Sequence, residues 1–309
     1  MSSIGIDLGG HTLCAGVVDL RACPPFITSR IDMPSPAGRH KSDVIDILAE
    51  TITALAGRHQ IDSVGIGMPG FLDKKRETVV RLTNFSAFDD VRLPDILKEI
   101  IALNGIHVNV SMENDANCAA LGEGIAGAAR GCPDYIVITL GTGIGAGIVA
   151  NGALVAGGHG IAGEAGHLSI MEDGVACRCG GISHLESAAS ADAIEKAALK
   201  CGIPADFKYI WEHRDEKEAE TIVERALDSL ARGIASLVAT TDPERVILSG
   251  GMSKARGLAG ELAIRVSPYL PAPFRPYLNI VTSALGGDAA IIGAASLGAK
   301  AFESLRSDF

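Results

Sequence analysis

The sequence predicts a mixed α/β protein with two lobes of related layout. A short apolar strand, a glycine-rich turn and a second strand occur at residues 4–18 and again at residues 135–150. Each of these patterns is typical of a β-hairpin, and alternating helices and strands follow both of them. A length of 309 residues also suits two domains. We expect an N-terminal lobe over 1–115, rejoined by 288–309, a C-terminal lobe over 116–287, and a cleft between them.

The elements of the first half follow from apolar spacing. Ile45, Leu48, Ile52 and Leu55 form one stripe at helical spacing, which predicts a helix over 41–58. Short apolar or β-branched runs predict the strands, and the strand at 63–68 ends at a Pro-Gly turn. The predicted strands of this half are 4–6, 13–18, 63–68 and 108–112, and the predicted helices are 41–58, 93–103 and 116–126.

The second half repeats this order. The strongest helical pattern covers 216–239 and ends before Asp242-Pro243, because a residue that precedes proline disfavours the helical conformation. The predicted strands of this half are 135–140, 146–150 and 245–249, and the predicted helices are 186–201, 216–239 and 288–305.

Composition excludes several functional classes. The formal net charge is −10 and no basic run is present, which argues against a nucleic acid partner. No charged start followed by an apolar core marks a secretory signal, and the uncharged stretch 135–163 contains nine glycines, which favours strand and loop over a membrane helix. An odd number of cysteines, seven, does not suit a disulfide framework. We expect a cytoplasmic protein without a membrane partner.

The two glycine hairpins, DLGGHT at 7–12 and LGTGIGAG at 140–147, are candidate phosphate sites. Glycine turns present backbone N–H groups to one point, which lets a protein hold phosphate with few basic side chains. Asp7 is a candidate ligand of a magnesium ion, which favours carboxylates together with substrate phosphates. The alternative is a pair of ordinary hairpin turns, since neither sequence matches a P-loop or a dinucleotide loop.

Asn114-Asp115 lies between a predicted strand and a predicted helix. This position allows two interpretations of Asp115. It is suited to the N-cap of the helix, and it is also suited to a general base that takes a proton from a substrate hydroxyl.

Four potential metal ligands lie within 18 residues: His167, Cys177, Cys179 and His184. Two imidazoles and two thiols suit a tetrahedral zinc ion. The alternative is a chance C-x-C pair with a histidine that only forms a hydrogen bond.

Taken together, these motifs resemble the ROK family of sugar kinases and repressors. The matching segments are DLGG at 7–10, GIGMPG at 65–70, Thr83-Asn84-Phe85, ENDANCAALGE at 113–123, LGTGIGAGIV at 140–149, GEAGH at 163–167, CRCGGISHLE at 177–186 and DPERVILSGG at 242–251. The resemblance implies the two-lobed actin-like, hexokinase-like ATPase fold. It implies that Asp115 is the catalytic base for the sugar 6-hydroxyl. The sugar-binding set that it implies is Gly70, Asn84, Asn114, Glu164, His167 and Glu186.

The resemblance also implies the nucleotide and metal sites. The implied ATP-binding residues are Gly5, Asp7, Gly9, Gly10, His11, Thr12, Gly141, Thr142, Gly143, Gly145, Gly250 and Gly251. Zinc at the four His and Cys residues would be structural and would order the loop that carries Glu164 and His167. The sequence departs from the family pattern at His11, where threonine is usual, and at His184, which replaces the third cysteine and follows Ser183 in place of a glycine.

The function that this resemblance implies is an ATP-dependent hexose kinase, with glucose as the first expected substrate and Mg²⁺ as cofactor. The alternatives are kinases for N-acetylglucosamine, N-acetylmannosamine, fructose or allose. A sugar-sensing repressor is the competing class, but only six residues precede Asp7, too few for the DNA-binding domain that family repressors place there. The family also leads us to expect a homodimer.

Overall fold

The computed structural model describes residues 2–57, 59–82, 85, 88–170 and 174–298. The chain forms two compact units. The first contains Met1–Gly131, Gly147–Gly163 and Ala284–Phe309, and the second contains Cys132–Ala146 and Glu164–Ser283. The lobe boundary expected at residue 115 stays a prediction.

The strands are β1 (Ser2–Leu8), β2 (Thr12–Asp19), β3 (Phe26–Pro34), β4 (Ser63–Met68), β5 (Phe71–Leu72), β6 (Val79–Arg81), β7 (Asn109–Asn114), β8 (Tyr135–Leu140), β9 (Ile144–Ala150), β10 (Ala153–Leu154), β11 (Arg245–Ser249) and β12 (Ile280–Thr282). The helices are α1 (Lys41–Ala56), α2 (Leu93–Leu103), α3 (Asp115–Ala126), α4 (Leu185–Ala189), α5 (Ala191–Cys201), α6 (Phe207–Glu212), α7 (Lys217–Thr241), α8 (Leu258–Val266) and α9 (Asp288–Ser296). The predicted mixed α/β class is confirmed.

The two main sheets have the same strand order. The first is β3-β2-β1-β4-β7 and the second is β10-β9-β8-β11-β12. In both, an antiparallel hairpin, β1–β2 or β8–β9, is followed on one side by strands that run parallel to the first hairpin strand. The repeated hairpin pattern of the sequence therefore corresponds to two sheets of one topology.

The first sheet has helices on both faces because side chains alternate along β1. Ile4 and Ile6 belong to the apolar core that includes Leu48 and Ile52 of α1. Gly5 faces the other way, where a Cβ atom would lie 1.9 Å from the carbonyl oxygen of Ile291 in α9. Gly5 therefore lies in the middle of β1, where it allows α9 to pack closely on the sheet, and its place in the ATP site stays a prediction.

One predicted helix differs from the structure. The segment 186–201 forms two helices, α4 and α5, which separate at Ser190. The Ser190 side chain accepts a hydrogen bond from the N–H of Ala193 and so caps α5. A residue that caps one helix leaves the helical conformation, so the preceding helix ends there.

The remaining predicted helices lie close to the observed ones. Helix α7 ends at Thr241, before the Asp242-Pro243 pair as predicted, and Asp242 adopts a left-handed φ of 47°. The described part of the predicted helix 288–305 is α9, and residues 299–309 lie outside the described chain. Within the described chain, none of the helices combines the length and the apolar character that a membrane crossing requires.

Candidate active site

Two parallel strands of the first sheet, β1 and β7, bring acidic residues to their carboxyl ends on either side of β4. Asp7 of β1 lies opposite Gly67 of β4, which in turn lies opposite Glu113 of β7. Asp115 follows the end of β7. Its Cα atom lies close to Gly67, 3.5 Å from the point that a Cβ atom would occupy if Gly67 had one. The carboxyl ends of parallel strands are the common place for ligands in α/β sheets, so this edge is where a substrate site is expected.

Asn114, and not Asp115, is the N-cap of α3. The Asn114 Oδ1 atom accepts hydrogen bonds from the N–H groups of Ala116 and Asn117, and its Nδ2 atom donates to the Gly70 carbonyl at 3.3 Å. The N-cap interpretation of Asp115 is therefore wrong. Asp115 is the first helical residue, and its Oδ1 atom accepts from the Ala116 N–H at 2.8 Å, so one face of its carboxylate stays available for other partners.

The environment changes the protonation of both acidic residues. Burial raises the pKa of Asp115 from 3.8 to about 6, although the Ala116 N–H lowers it. The pKa of Asp7 is raised from 3.8 to about 7, mainly by burial and also by the nearby Asp115, although Arg30 lowers it. A carboxyl with a pKa near 6 is mostly ionised at neutral pH and is still a better base than an ordinary aspartate.

The first glycine hairpin is held by its neighbours. Gly9 N–H donates to the Thr12 carbonyl at 2.9 Å, and the Ser35 hydroxyl donates to the Gly9 carbonyl at 2.7 Å. The Ser35 N–H also bonds the His11 carbonyl at 2.9 Å. The turn thus contains Gly9, Gly10 and His11, with Thr12 at the start of β2, and Ser35 is a supporting residue that the sequence did not reveal.

The second hairpin connects β8 and β9, and its turn lies in the other unit. Gly141 N–H donates to the Gly143 carbonyl at 3.0 Å, and Ala191 N–H donates to the Gly141 carbonyl at 2.8 Å. The Ile144 N–H donates to Glu186 Oε2 at 2.9 Å. Glu186 of α4, predicted as a sugar ligand, therefore supports this turn.

Further predicted ATP residues lie around the second hairpin. Thr142 is in the turn itself, whereas Gly145 is already in β9 and its N–H donates to Thr139 Oγ1 at 3.2 Å. Gly250 and Gly251 follow β11, the parallel neighbour of β8. A Cβ atom on Gly250 would lie 2.4 Å from the Leu140 carbonyl oxygen, so these glycines are adjacent to the turn.

The four predicted zinc ligands form one cluster. One donor atom from each of His167, Cys177, Cys179 and His184 lies within 4.8 Å of the other three. Cys179 Sγ is 3.2 Å from His184 Nδ1, and Cys177 Sγ is 3.9 Å from His167 Nδ1. A tetrahedral zinc site with two sulfur and two nitrogen ligands requires separations of about 3.3–3.8 Å, so the donor set fits zinc in chemistry, and its separations lie within about 1 Å of this spacing.

The surroundings of the cluster also suit a cation. Burial lowers the pKa of His167, which favours the neutral imidazole that a metal requires. Glu164 Oε2 lies 3.7 Å from His167 Nε2, on the side of the ring away from Cys177. Ser183 keeps a left-handed φ of 59°, the conformation in which glycine, the usual family residue, is unstrained.

The structure therefore places the predicted residues in two sets, one in each unit. Asp7, the first turn, Gly70, Asn114 and Asp115 belong to the first unit, and the second turn, Glu164, His167, Glu186 and the cluster belong to the second. Asn84 lies outside the described residues. The sequence did not indicate Arg76, which forms an ion pair with Glu113 next to Asp115; no motif or periodicity marks this arginine.

Comparison with known proteins identifies the family. The chain matches the ROK family over residues 3–301. It is 36% identical to a glucokinase from Thermotoga maritima, with 95% of this chain and 96% of the relative covered. It is 30% identical to an N-acetylmannosamine kinase from Escherichia fergusonii, with 96% and 98% covered.

A solved structure shows the same fold. The ROK family glucokinase from Streptomyces griseus, determined in complex with glucose and AMPPNP, superposes with a TM-score of 0.83 at 30% identity and covers 96% of this chain and 99% of its own. The chain belongs to the ROK family, and its fold is the actin-like ATPase fold of that family's hexokinases.

Proposed function

We propose that this chain is an ATP-dependent hexose kinase that phosphorylates the 6-hydroxyl of glucose. The observation that carries the proposal is Asp115, a partly buried carboxylate with a raised pKa at the start of α3, on the ligand-binding edge of the sheet. The similarity to glucokinases over nearly the whole chain supports the same activity.

In this mechanism Asp115 accepts the proton of the sugar hydroxyl. The freed oxygen forms a bond to the γ-phosphorus of ATP, the bond from that phosphorus to the bridging oxygen breaks, and ADP leaves with the electron pair. Phosphoryl transfer depends mainly on positioning and on charge stabilisation. The Asn114 cap and the Glu113 carboxylate fix the position of Asp115 on the helix.

The two glycine hairpins are the proposed phosphate contacts. The proposed contacts are backbone N–H groups of residues 10–12 and 142–143, because the N–H groups of Gly9 and Gly141 already donate within the turns. Asp7 is the proposed protein ligand of Mg²⁺. When bound, this ion would neutralise charge on the phosphates. The raised pKa of Asp7 favours this role, because a carboxyl that is hard to ionise alone gains most from a nearby cation.

Zinc at His167, Cys177, Cys179 and His184 is proposed as a structural ion. Burial raises the pKa of Cys177, and a coordinated cation would favour its thiolate. The cluster lies next to Glu186, since the Cys177 thiol is 3.9 Å from Glu186 Oε1. Zinc would therefore order both the sugar-binding residues and the support of the second hairpin.

An N-acetylmannosamine kinase is the second candidate, because the chain is 30% identical to such an enzyme over almost its full length. A panel of hexoses assayed for ATP-dependent phosphorylation distinguishes the two. We expect the highest kcat/KM for glucose. A higher kcat/KM for N-acetylmannosamine would support the second candidate, and no phosphorylation of any hexose would contradict the proposed function.

A further inference from the structure

Arg76 is a largely buried arginine in the turn between β5 and β6. Its Nε atom donates to Glu113 Oε2 at 2.8 Å, and the side chains are 13% and 7% exposed. Removing two charges from water costs so much that a buried ion pair contributes little net stability. The presence of this pair therefore calls for a reason other than stability.

The second oxygen of Glu113 holds the residues on both sides of Asp115. Glu113 Oε1 accepts the backbone N–H of Asn114 at 2.9 Å and the Nδ2 group of Asn117 at 3.0 Å. Asn114 is the N-cap of α3, and Asn117 lies in its first turn. We call this group, Glu113 to Asn117, the α3 corner. Its geometry depends on the Glu113 carboxylate, which forms an ion pair with Arg76 in the described part of the chain.

Arg76 also contacts a third segment. Its Nη1 atom donates to the Gly160 carbonyl at 2.7 Å and to the Asp73 carbonyl at 3.1 Å. Gly160 belongs to the segment that leads to Glu164, a predicted sugar ligand. The guanidinium thus connects the α3 corner with the chain that precedes the predicted sugar-binding residues.

The backbone of Arg76 is unfavourable for an arginine. Its φ is 61°, in the left-handed region that residues other than glycine, asparagine and aspartate rarely adopt. The turn is fixed there by Asp73, whose Oδ1 atom accepts the N–H groups of Glu77 and Thr78 at 2.8 and 2.7 Å. Glycine would relieve the strain but would remove the guanidinium. The contacts of the side chain therefore explain why an arginine is tolerated in this conformation.

We propose that Arg76 is a positioning residue for phosphoryl transfer. Through Glu113 it fixes the α3 corner, so that the Asp115 carboxylate is held toward the acceptor hydroxyl. The inference rests on the proposed kinase function. Arg76 does not touch the reacting atoms; it acts through Glu113 on the orientation of Asp115.

A double-mutant cycle tests this role. Arg76→Met should lower kcat by about 10–100-fold, the effect of misplacing a reacting group by about 1 Å, with little change in the KM for ATP. In the Asp115→Asn background the same substitution should lower kcat by less than about threefold, because residues that act as one unit are not additive. Arg76→Lys, which keeps a charge for Glu113, should recover most of the loss.

A matched control separates this role from general destabilisation. Arg92 is 59% exposed and forms an ion pair with Glu77 of the same turn, so Arg92→Met should leave kcat unchanged. Equal fold losses from Arg76→Met in both backgrounds would mean that Arg76 only supports the fold, and would overturn the proposal.

Hydrogen exchange gives a readout that needs no activity. The amides of Ala116 and Asn117 should exchange at least about tenfold faster in Arg76→Met than in the parent or in Arg92→Met, because the α3 corner loosens. Glu113→Gln should show the same change if Arg76→Met does not fold. A parent protein that phosphorylates no sugar would contradict the proposed function. Independently of that result, unchanged exchange of the Ala116 and Asn117 amides in Arg76→Met would overturn the positioning role of Arg76.

Discussion

Burial and hydrogen bonding shift the pKa of Asp115 in opposite directions, and burial has the larger effect. The pKa of this carboxyl rises to about 6 even though the Ala116 N–H favours the ionised form. A base with this pKa loses its function as the pH falls through 6, because the protonated acid cannot accept a proton. We therefore expect kcat to decrease below about pH 6, as measured by a pH profile with saturating glucose and ATP.

The same raised pKa predicts a stability effect. The folded state binds the Asp115 proton more tightly than the unfolded state, whose pKa is near 3.8, so the ionised carboxyl destabilises the fold above about pH 6 and not below about pH 4. Asp115→Asn should raise the free energy of unfolding at pH 8 by roughly 1–3 kcal/mol. Urea denaturation at pH 8 and pH 4 measures the difference.

Asp95→Asn is the control for this stability effect, because Asp95 is an exposed aspartate in the first turn of α2. It should not stabilise the protein at pH 8. A gain from Asp115→Asn that is equal at both pH values would show that ionisation of Asp115 is not its cause.

At this scale the sequence predicted where Asp115 lies in the fold better than how it interacts. It placed Asp115 at the strand–helix junction, but it left open whether Asp115 or another residue caps α3. The structure assigns the cap to Asn114. The sequence could not predict the Arg76–Glu113 pair, since these residues lie 37 positions apart and meet only in the folded sheet.

At the scale of elements, the close packing of α3 on α9 depends on glycine. A Cβ on Gly293 would lie 1.8 Å from the Cys118 carbonyl oxygen, so Gly293→Ala should separate the two helices. We expect the free energy of unfolding to fall by about 1–3 kcal/mol or more, measured by urea denaturation.

Gly260→Ala in α8 is the matched control, because nothing lies within 4 Å of the added Cβ. This substitution should leave stability unchanged or raise it by up to about 1 kcal/mol, the difference in helix propensity. If both substitutions have the same effect, helix propensity and not the α3–α9 contact determines the result.

The segment 167–184, which carries the four proposed zinc ligands, is the second element whose order can be tested. His184→Ala should lower the zinc content below one ion per chain, because a structural site uses four protein ligands. The KM for the sugar should rise, since Glu164 and His167 lose their support. His184→Cys should keep the metal, because zinc accepts thiolate and imidazole alike.

Cys201→Ser, at an exposed cysteine outside the cluster, is the control for the metal measurement. It should not change the zinc content. Elemental analysis of the protein purified without a histidine tag measures the metal, and full activity with almost no zinc would contradict a structural role for the ion.

Element boundaries show where sequence patterns stop being informative. The ends of helix α7 lie within two residues of their predicted positions. The helix has 13 buried residues, and its long apolar stripe makes the helical period clear in the sequence. By contrast, β3 was not predicted, since it alternates between exposed and half-buried residues and contains no buried one. The division between α4 and α5 depends on one capping serine, which a helical pattern does not reveal.

For the whole molecule, the repeated topology is the main result that the sequence predicted. Two glycine hairpins indicated two related halves, and the structure contains two sheets with the same strand order. The expected cleft, the homodimer and the cytoplasmic location stay predictions. This topology is the basis of the chemistry proposed here: in each sheet, the hairpin turn follows the carboxyl end of the central strand, β1 or β8, and contains predicted phosphate contacts.

The steady-state rate of glucose 6-phosphate formation by the parent protein and by Asp115→Asn tests the central proposal most directly. With ATP and Mg²⁺ present, the parent should convert glucose with one ADP released per product. Asp115→Asn should lower kcat by about 10²–10⁴-fold, the usual contribution of a positioned base, while the dissociation constant for glucose, measured by calorimetry, changes little. A variant that turns over glucose as fast as the parent would contradict the assignment of Asp115 as the base.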